Sequence, residues 1–164
     1  MFSGLNNTKL CFGNEYHFLH LKHLIDNPNN KLVIVISLTK KIKTTLDSIK
    51  HIENENIREA LLETTELIPD ESQTYEIYFD NYLFYQGRNE SYTQANDDDI
   101  RIGKGLILFE KSQLLNYADK FISVDLASII HKKTELRHYG VYTLNNIIDV
   151  VTFYEPVIRK SKYT

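Results

Sequence analysis

Residues 75 to 86 read YEIYFDNYLFYQ, and this run restricts the fold more than any other stretch of the chain. Tyr75, Ile77, Phe79, Leu83 and Tyr85 recur at period two, which places them on one face of an extended chain and scatters them around a helix. The other face would carry Glu76, Tyr78, Asp80, Tyr82 and Phe84, too aromatic for a surface that only meets water. A strand over 75–86 needs partners, and the chain offers them. KLVIVISL (31–38) is a continuous β-branched run of the kind buried on both faces of a sheet. GLILFE (105–110), LRHYGVYTL (136–144) and IIDVVTFYE (147–155) read as further strands, with Pro156 ending the last.

Helical signals fill the gaps. NEYHFLHLKHLIDNPNN predicts a short helix that starts near Asn14 and ends at Pro28, with Phe18, Leu21, Leu24 and Ile25 on one side. Residues 39 to 70 read as mostly helical, broken near Asn54–Asn56 and stopped by Pro69, with Ile42, Leu46 and Ile49 and then Ile57 and Leu61 sharing faces. Ser112 is a suitable N-cap for a helix over QLLNYADKFI. Gly103 and Gly105 fit a bulge or turn where a strand begins. With no internal repeat or linker, the expectation is one α+β domain over 1–164, its mainly antiparallel sheet carrying helices on one side. A helix–strand–helix half (1–70) precedes a strand-rich half (71–164).

The 164 residues are enough to bury a core without a staple, and the single cysteine, Cys11, allows neither an internal disulfide nor a multi-cysteine metal site. A net charge of −3 lacks the basic footprint of a nucleic-acid binder. No apolar run approaches the ~20 residues that span a bilayer, and Met1–Leu10 lacks the organisation of a signal peptide. The expected setting is the cytoplasm, with neither nucleic acid nor membrane as partner.

Signals for chemistry are weak. RNESYTQANDDD (88–99) is longer than an ordinary hairpin loop, and its Arg88 and Glu90 are placed to pair. Asp97, Asp98 and Asp99 concentrate negative charge but lack the alternating ligands, central glycine and distal glutamate of a calcium loop. His17, His20 and His23 sit three apart, whereas helix-borne zinc pairs usually sit four apart. Pro69–Asp70 has no following E-x-K, because Glu110 is next to Lys111. His138, Asp149 and Ser112 or Ser91 spell a triad only on paper, since no serine has glycine two residues away on both sides. No catalytic residue, metal site or cofactor is assigned on this basis.

Charge is patterned. Residues 53 to 80 hold nine acids and one base, while 31 to 50 hold five lysines against Asp47. An acidic surface of this kind steers a basic protein partner, and tyrosine and arginine are common anchors in such interfaces. Glu59, Glu63, Glu66, Asp70 and Glu71 lead the candidates, followed by Tyr82, Arg88, Glu90, Asp97, Asp98 and Asp99.

The runs YEIYFDNYLFYQGRNESY, KSQLLNY and HYGVYTLNNIIDVV, mapping to Phe79–Tyr92, Lys111–Tyr117 and His138–Val151, resemble those of a family of small bacterial proteins. The resemblance covers only the second half of the chain. In size and charge such proteins are similar to the immunity proteins of contact-dependent growth inhibition and polymorphic-toxin systems. It implies a non-enzymatic cytoplasmic protein that binds and neutralises a cognate toxin C-terminal domain, a nuclease whose positive groove suits an acidic inhibitor. The alternative is an enzyme acting on a small molecule or nucleotide, with Arg88, Glu90, His138 and Asp149 around one pocket. Convergence of those four in a concavity would favour chemistry, and a convex acidic surface the inhibitor.

Overall fold

The computed structural model describes residues 18–161 and confirms an α+β domain, with its strands divided between two antiparallel sheets. In the first sheet the order is β1 (Leu19–Asn27), β2 (Lys31–Lys43), β3 (Thr65–Asp80) and β9 (Val157–Lys160). In the second it is β4 (Tyr82–Asn89), β8 (Asn146–Thr152), β7 (Arg137–Tyr142), β6 (Leu106–Lys111) and β5 (Ile100–Lys104). Helices α1 (Leu46–Ile49) and α2 (Glu55–Leu62) connect β2 to β3, and α3 (Gln113–Phe121) and α4 (Val124–His131) connect β6 to β7. Among the described residues no helix is long and apolar enough to cross a membrane.

The two sheets share one core. Leu19, Leu32, Ile34, Ile36, Ile77 and Phe79 come from the first; Leu106, Leu108, Tyr139, Val141, Ile148 and Val150 come from the second. Phe79 meets Tyr139 with ring centroids 5.8 Å apart. The period-two faces of β7 and β8 therefore have distinct duties. Tyr139, Val141, Ile148 and Val150 fill the core, so His138, Tyr142, Ile147 and Asp149 fall on the sheet's other face.

Several expected elements differ. Residues 19–27 form strand β1 rather than a helix ended by Pro28; the start of that expected helix, with His17, lies outside the described residues. The turn that follows explains it, because Asn29 (φ 66°) and Asn30 (φ 55°) both take the left-handed conformation that closes a β-hairpin. His20 and His23 thus lie on a strand. Helix is confined to 46–49 and 55–62 in the second segment, and β2 runs on to Lys43. Pro69 sits inside β3 instead of stopping a helix. It lies where the β2–β3 register shifts and where β9, which pairs only with Tyr75–Tyr78, leaves β3 bonded on one side, so its missing N–H costs no ladder bond there.

The run 75–86 is likewise not one strand. Asn81, at φ 54°, turns the chain out of β3 and into β4, and β4 pairs with β8 in the other sheet. Part of the aromatic second face has its reason here, since Tyr82 leaves the first sheet and, with the register shift after it, packs against the shared core beside Tyr85. Helix α4 and strand β9 were not foreseen. Gly103 (φ 105°) and Gly105 (φ 71°) make the β5–β6 turn as expected, and a Cβ on Gly105 would lie 2.8 Å from Leu19 Cδ1.

Candidate functional site

On the outer face of the five-stranded sheet lies a cavity of about 600 Å3. Its floor is the sheet itself: Gln86 and Arg88 from β4, Ile147 and Asp149 from β8, His138 and Tyr142 from β7, Phe109 from β6 and Arg101 from β5. Its walls are the start of α3, through Ser112, Gln113, Leu114 and Tyr117, and the segment carrying Glu90, Thr93, Asn96 and Asp99.

At its centre is Asp149, fully buried in the strand sequence I-I-D-V-V. A carboxylate without water needs a full set of donors. The neighbouring strands supply them. Arg88 donates from Nε to Oδ2 at 2.7 Å and from Nη2 to Oδ1 at 3.1 Å. Gln86 Nε2 donates to Oδ2 at 3.0 Å, and His138 Nε2 lies 3.1 Å from Oδ1. Register makes this possible: Gln86 and Gly140 are the residues directly opposite Asp149 on its two sides. Burial pushes the Asp149 carboxyl up, yet the bonds from His138, Arg88 and Gln86 outweigh it and hold the group below the ordinary carboxylate range. Arg88 shows the counterpart: burial works against its charge, while Asp149 and Tyr142 raise its pKa.

His138 extends the network. It is 2 % exposed, and its ring stacks on Phe109, the residue opposite it on β6, with centroids 4.0 Å apart and planes 7° from parallel. Its Nδ1 is 2.7 Å from Ser112 Oγ. Ser112 caps α3 as the sequence indicated, accepting from the backbone N–H of Leu114 at 3.0 Å and of Leu115 at 3.4 Å. Both of those partners are donors, so among the described residues the hydroxyl proton is directed to His138 Nδ1. In a neutral imidazole this assigns the tautomer: Nδ1 accepts from Ser112, and Nε2–H donates to Asp149.

The rim is charged and mixed. Arg101 lies over the Phe109 ring at 5.6 Å and approaches Asp99 at 3.8 Å. Asp99 accepts the Gln113 backbone N–H at 3.1 Å, tying the 93–99 segment to the start of α3. Burial, with Asp149 adding to it, raises the Tyr142 phenol above its ordinary value, although both arginines work the other way. Gly140 makes the floor flat, because a Cβ there would lie 2.8 Å from the Tyr142 ring and 3.0 Å from the Phe109 ring.

Of the residues expected to meet a partner, Arg88, Glu90 and Asp99 line this cavity. Arg88 pairs with Asp149, where the sequence suggested Glu90. Asp97 and Asp98 are exposed beside it. Tyr82 is elsewhere, half-buried against the core with its hydroxyl donating to Asp26 at 2.8 Å. Glu59 and Glu63 are exposed at α2, and Glu66, Asp70 and Glu71 lie along β3. The charge blocks are brought together in part, because most of the lysines lie on β2 beside the β3 acids, while Glu53, Glu55, Glu59 and Glu63 precede β3 and stay exposed around α2. Lys31 faces Asp80, Lys22 of β1 pairs with Glu71, and Lys40 and Lys160 act on Asp70.

The four residues of the pocket alternative, Arg88, Glu90, His138 and Asp149, all line the one cavity. So do residues from each of the three runs quoted for the family resemblance. Sequence reasoning dismissed the Ser112–His138–Asp149 combination, which the fold assembles, and passed over Gln86, Arg101 and Tyr142. The available signal was Asp149 itself, a lone acid inside an apolar strand run, which demands buried partners. Among the described residues no three His, Cys, Asp or Glu side chains are grouped to hold a metal ion. In comparisons with known proteins, no family model, curated protein or solved structure matches this chain.

Proposed function

We propose that this protein acts on a small molecule bound in the cavity over β4, β8 and β7, and that the molecule carries an anionic group. One observation carries the reading: a fully buried carboxylate, bonded to Gln86, Arg88 and His138 of the cavity floor, sits at the base of a ligand-sized concavity. Such a network is poor value for stability alone, because an apolar replacement of similar shape folds as well or better. Perturbed titratable groups gathered in a cleft are the usual mark of a site. Arg88 is shared between Asp149 and the Tyr142 hydroxyl, whereas Arg101 approaches Asp99 only at 3.8 Å, so Arg101 is the guanidinium group placed for a carboxylate or phosphate.

The test is a titration of nitrogen-15-labelled protein with succinate, inorganic phosphate and adenosine monophosphate. Saturable shifts at the amides of Arg88, Arg101 and Tyr142, weakened in Arg101→Ala, are the expected result. Unmoved cavity amides with all three probes would sink the reading.

A second reading, neutralisation of a toxin domain by direct binding, draws support from a different surface. Phe121, Leu126, Ile129 and Ile130 on α3 and α4 are all more than half exposed, and large apolar side chains grouped on adjoining helices suit a protein partner. Co-expression with the product of the neighbouring gene, followed by capture and a toxicity assay, tests it. A toxin domain that binds and loses its toxicity would support this reading. A toxin that neither binds nor is silenced would end it.

A further inference from the structure

The geometry points to Ser112 as a nucleophile activated by His138, in an acyl transfer to water from a small carboxylic ester bearing an anionic group. This deepens the small-molecule reading of the same cavity and rests on it. Three features carry it. The Ser112 hydroxyl is 2.7 Å from His138 Nδ1 and, as argued above, its proton points there. The opposite nitrogen of the imidazole donates to Asp149, which Arg88 and Gln86 hold in place. Ser112 and His138 both line the cavity, and at 4 % and 2 % exposure they meet a ligand only over the small area they turn towards it. Nucleophile, base and orienting carboxylate thus stand in the order a Ser–His–Asp system requires, recognised by geometry rather than by sequence spacing. No nucleophile elbow is involved, because the start of α3 presents the serine.

The step balances as follows. Ser112 Oγ attacks the ester carbon while its proton passes to His138 Nδ1, and the carbonyl electron pair moves onto oxygen. The imidazolium so formed lies against the Asp149 carboxylate. When the pair returns, the bond to the alkoxy group breaks and that oxygen takes the proton from Nδ1, leaving as the alcohol. Water then attacks the acyl-serine, gives its proton to Nδ1, and the carboxylic acid departs as Oγ recovers the proton. Asp149, Arg88 and Gln86 act through His138 as positioning residues. Arg101, on the rim, is the group placed to meet the substrate's negative charge.

Methanesulfonyl fluoride, small enough for the cavity, is the first probe, with the modified residue located by peptide mass spectrometry. The expected result is one adduct on Ser112 of the folded wild-type protein. It should be absent in Ser112→Gly, which keeps most of the helix cap. It should form roughly 100-fold more slowly in His138→Gln, the lower range of what a general base contributes. In a parallel assay, 4-nitrophenyl hemisuccinate should be cleaved faster than 4-nitrophenyl acetate, and Arg101→Ala should erase the difference. The wild-type labelling is read first and depends on no variant folding. A folded wild-type protein that takes no adduct, or an adduct that forms as fast without His138, overturns the proposal. If the succinate titration still shifts the cavity amides in that case, the small-molecule reading stands without the nucleophile; if those amides are also unmoved, both readings fall.

Discussion

The Nε and Nη2 atoms of Arg88 both donate to the carboxylate of Asp149, at 2.7 and 3.1 Å, joining β4 to β8 beneath the cavity. The pair is asymmetric in burial: the Arg88 side chain is 33 % exposed and the Asp149 side chain 0 %. The aspartate depends on the arginine far more than the reverse, and the consequences of removing either partner differ accordingly.

Arg88→Met leaves a buried carboxylate without its main donor and should cost ~3–5 kcal/mol in denaturant unfolding. Asp149→Leu releases an arginine that can turn towards water in the cavity, and should cost less. The double variant should recover most of the Arg88→Met loss, because no charge is then stranded. Equal losses in all three variants would show that the pair contributes through packing and not through charge.

The same network fixes an acid limit. The folded-state carboxyl of Asp149 titrates below its ordinary range. Its contribution to stability is therefore complete above the unfolded value, about 3.9, and is lost as pH falls through the lower folded value. Circular dichroism followed downward from pH 5 should show wild-type unfolding beginning below about pH 4, with a shallower dependence in the Arg88→Met/Asp149→Leu variant. Matching acid profiles would place the acid-sensitive group elsewhere.

At the other end of the scale stands Tyr82. Burial, then its hydrogen bond to Asp26, pushes its phenol up to about 12. A raised phenol pKa means that the fold favours the protonated form. That contribution is present below the unfolded value of about 10 and is lost as pH rises towards the folded one. Spectrophotometric titration should resolve several tyrosines ionising late, Tyr139 and Tyr142 among them, with the late step smaller by one tyrosine in Tyr82→Phe. The Asp26 bond joins β1 to β4, one strand from each sheet, so Tyr82→Phe should also cost about 1 kcal/mol.

Strand content was legible where period two was unambiguous and where partners were apolar, as at 105–110 and 136–152. It was illegible where the deciding residue was an asparagine in the left-handed conformation. Asn29 and Asn30 turn FLHLKHLI into a hairpin strand although its leucines also fit helical spacing, and Asn81 cuts one alternating run into strands of two sheets. Neither effect is visible in hydropathy. The site was half legible. Arg88, Glu90, His138 and Asp149 were named together as a possible pocket, but the acidic surface was read from blocks of charge along the chain. Antiparallel pairing of β2 with β3 brings lysines alongside part of the acidic segment, as with Lys31 and Asp80, a proximity that linear charge counting cannot register.

Gly140 offers a test of the cavity floor that touches no polar group. It lies opposite Asp149 on β7, and a methyl there would stand 2.8 Å from Tyr142 Cε2 and 3.0 Å from Phe109 Cε2. The first distance is shorter than carbon atoms tolerate and the second is tighter than nearly all real contacts, so a ring must yield. Tyr142 is the partly exposed one and faces the open cavity, whereas Phe109 is 4 % exposed and stacked on His138. The tyrosine should therefore swing outward and leave the His138 stack in place. Gly140→Ala should lower stability by ~1–3 kcal/mol, the ordinary cost of overpacking. In nitrogen-15 spectra the largest shifts should fall at Tyr142 and Arg101, with His138 and Ser112 little changed. Shifts concentrated at His138 instead would mean that Phe109 is the ring that moves, and that the stacked pair is softer than its geometry implies.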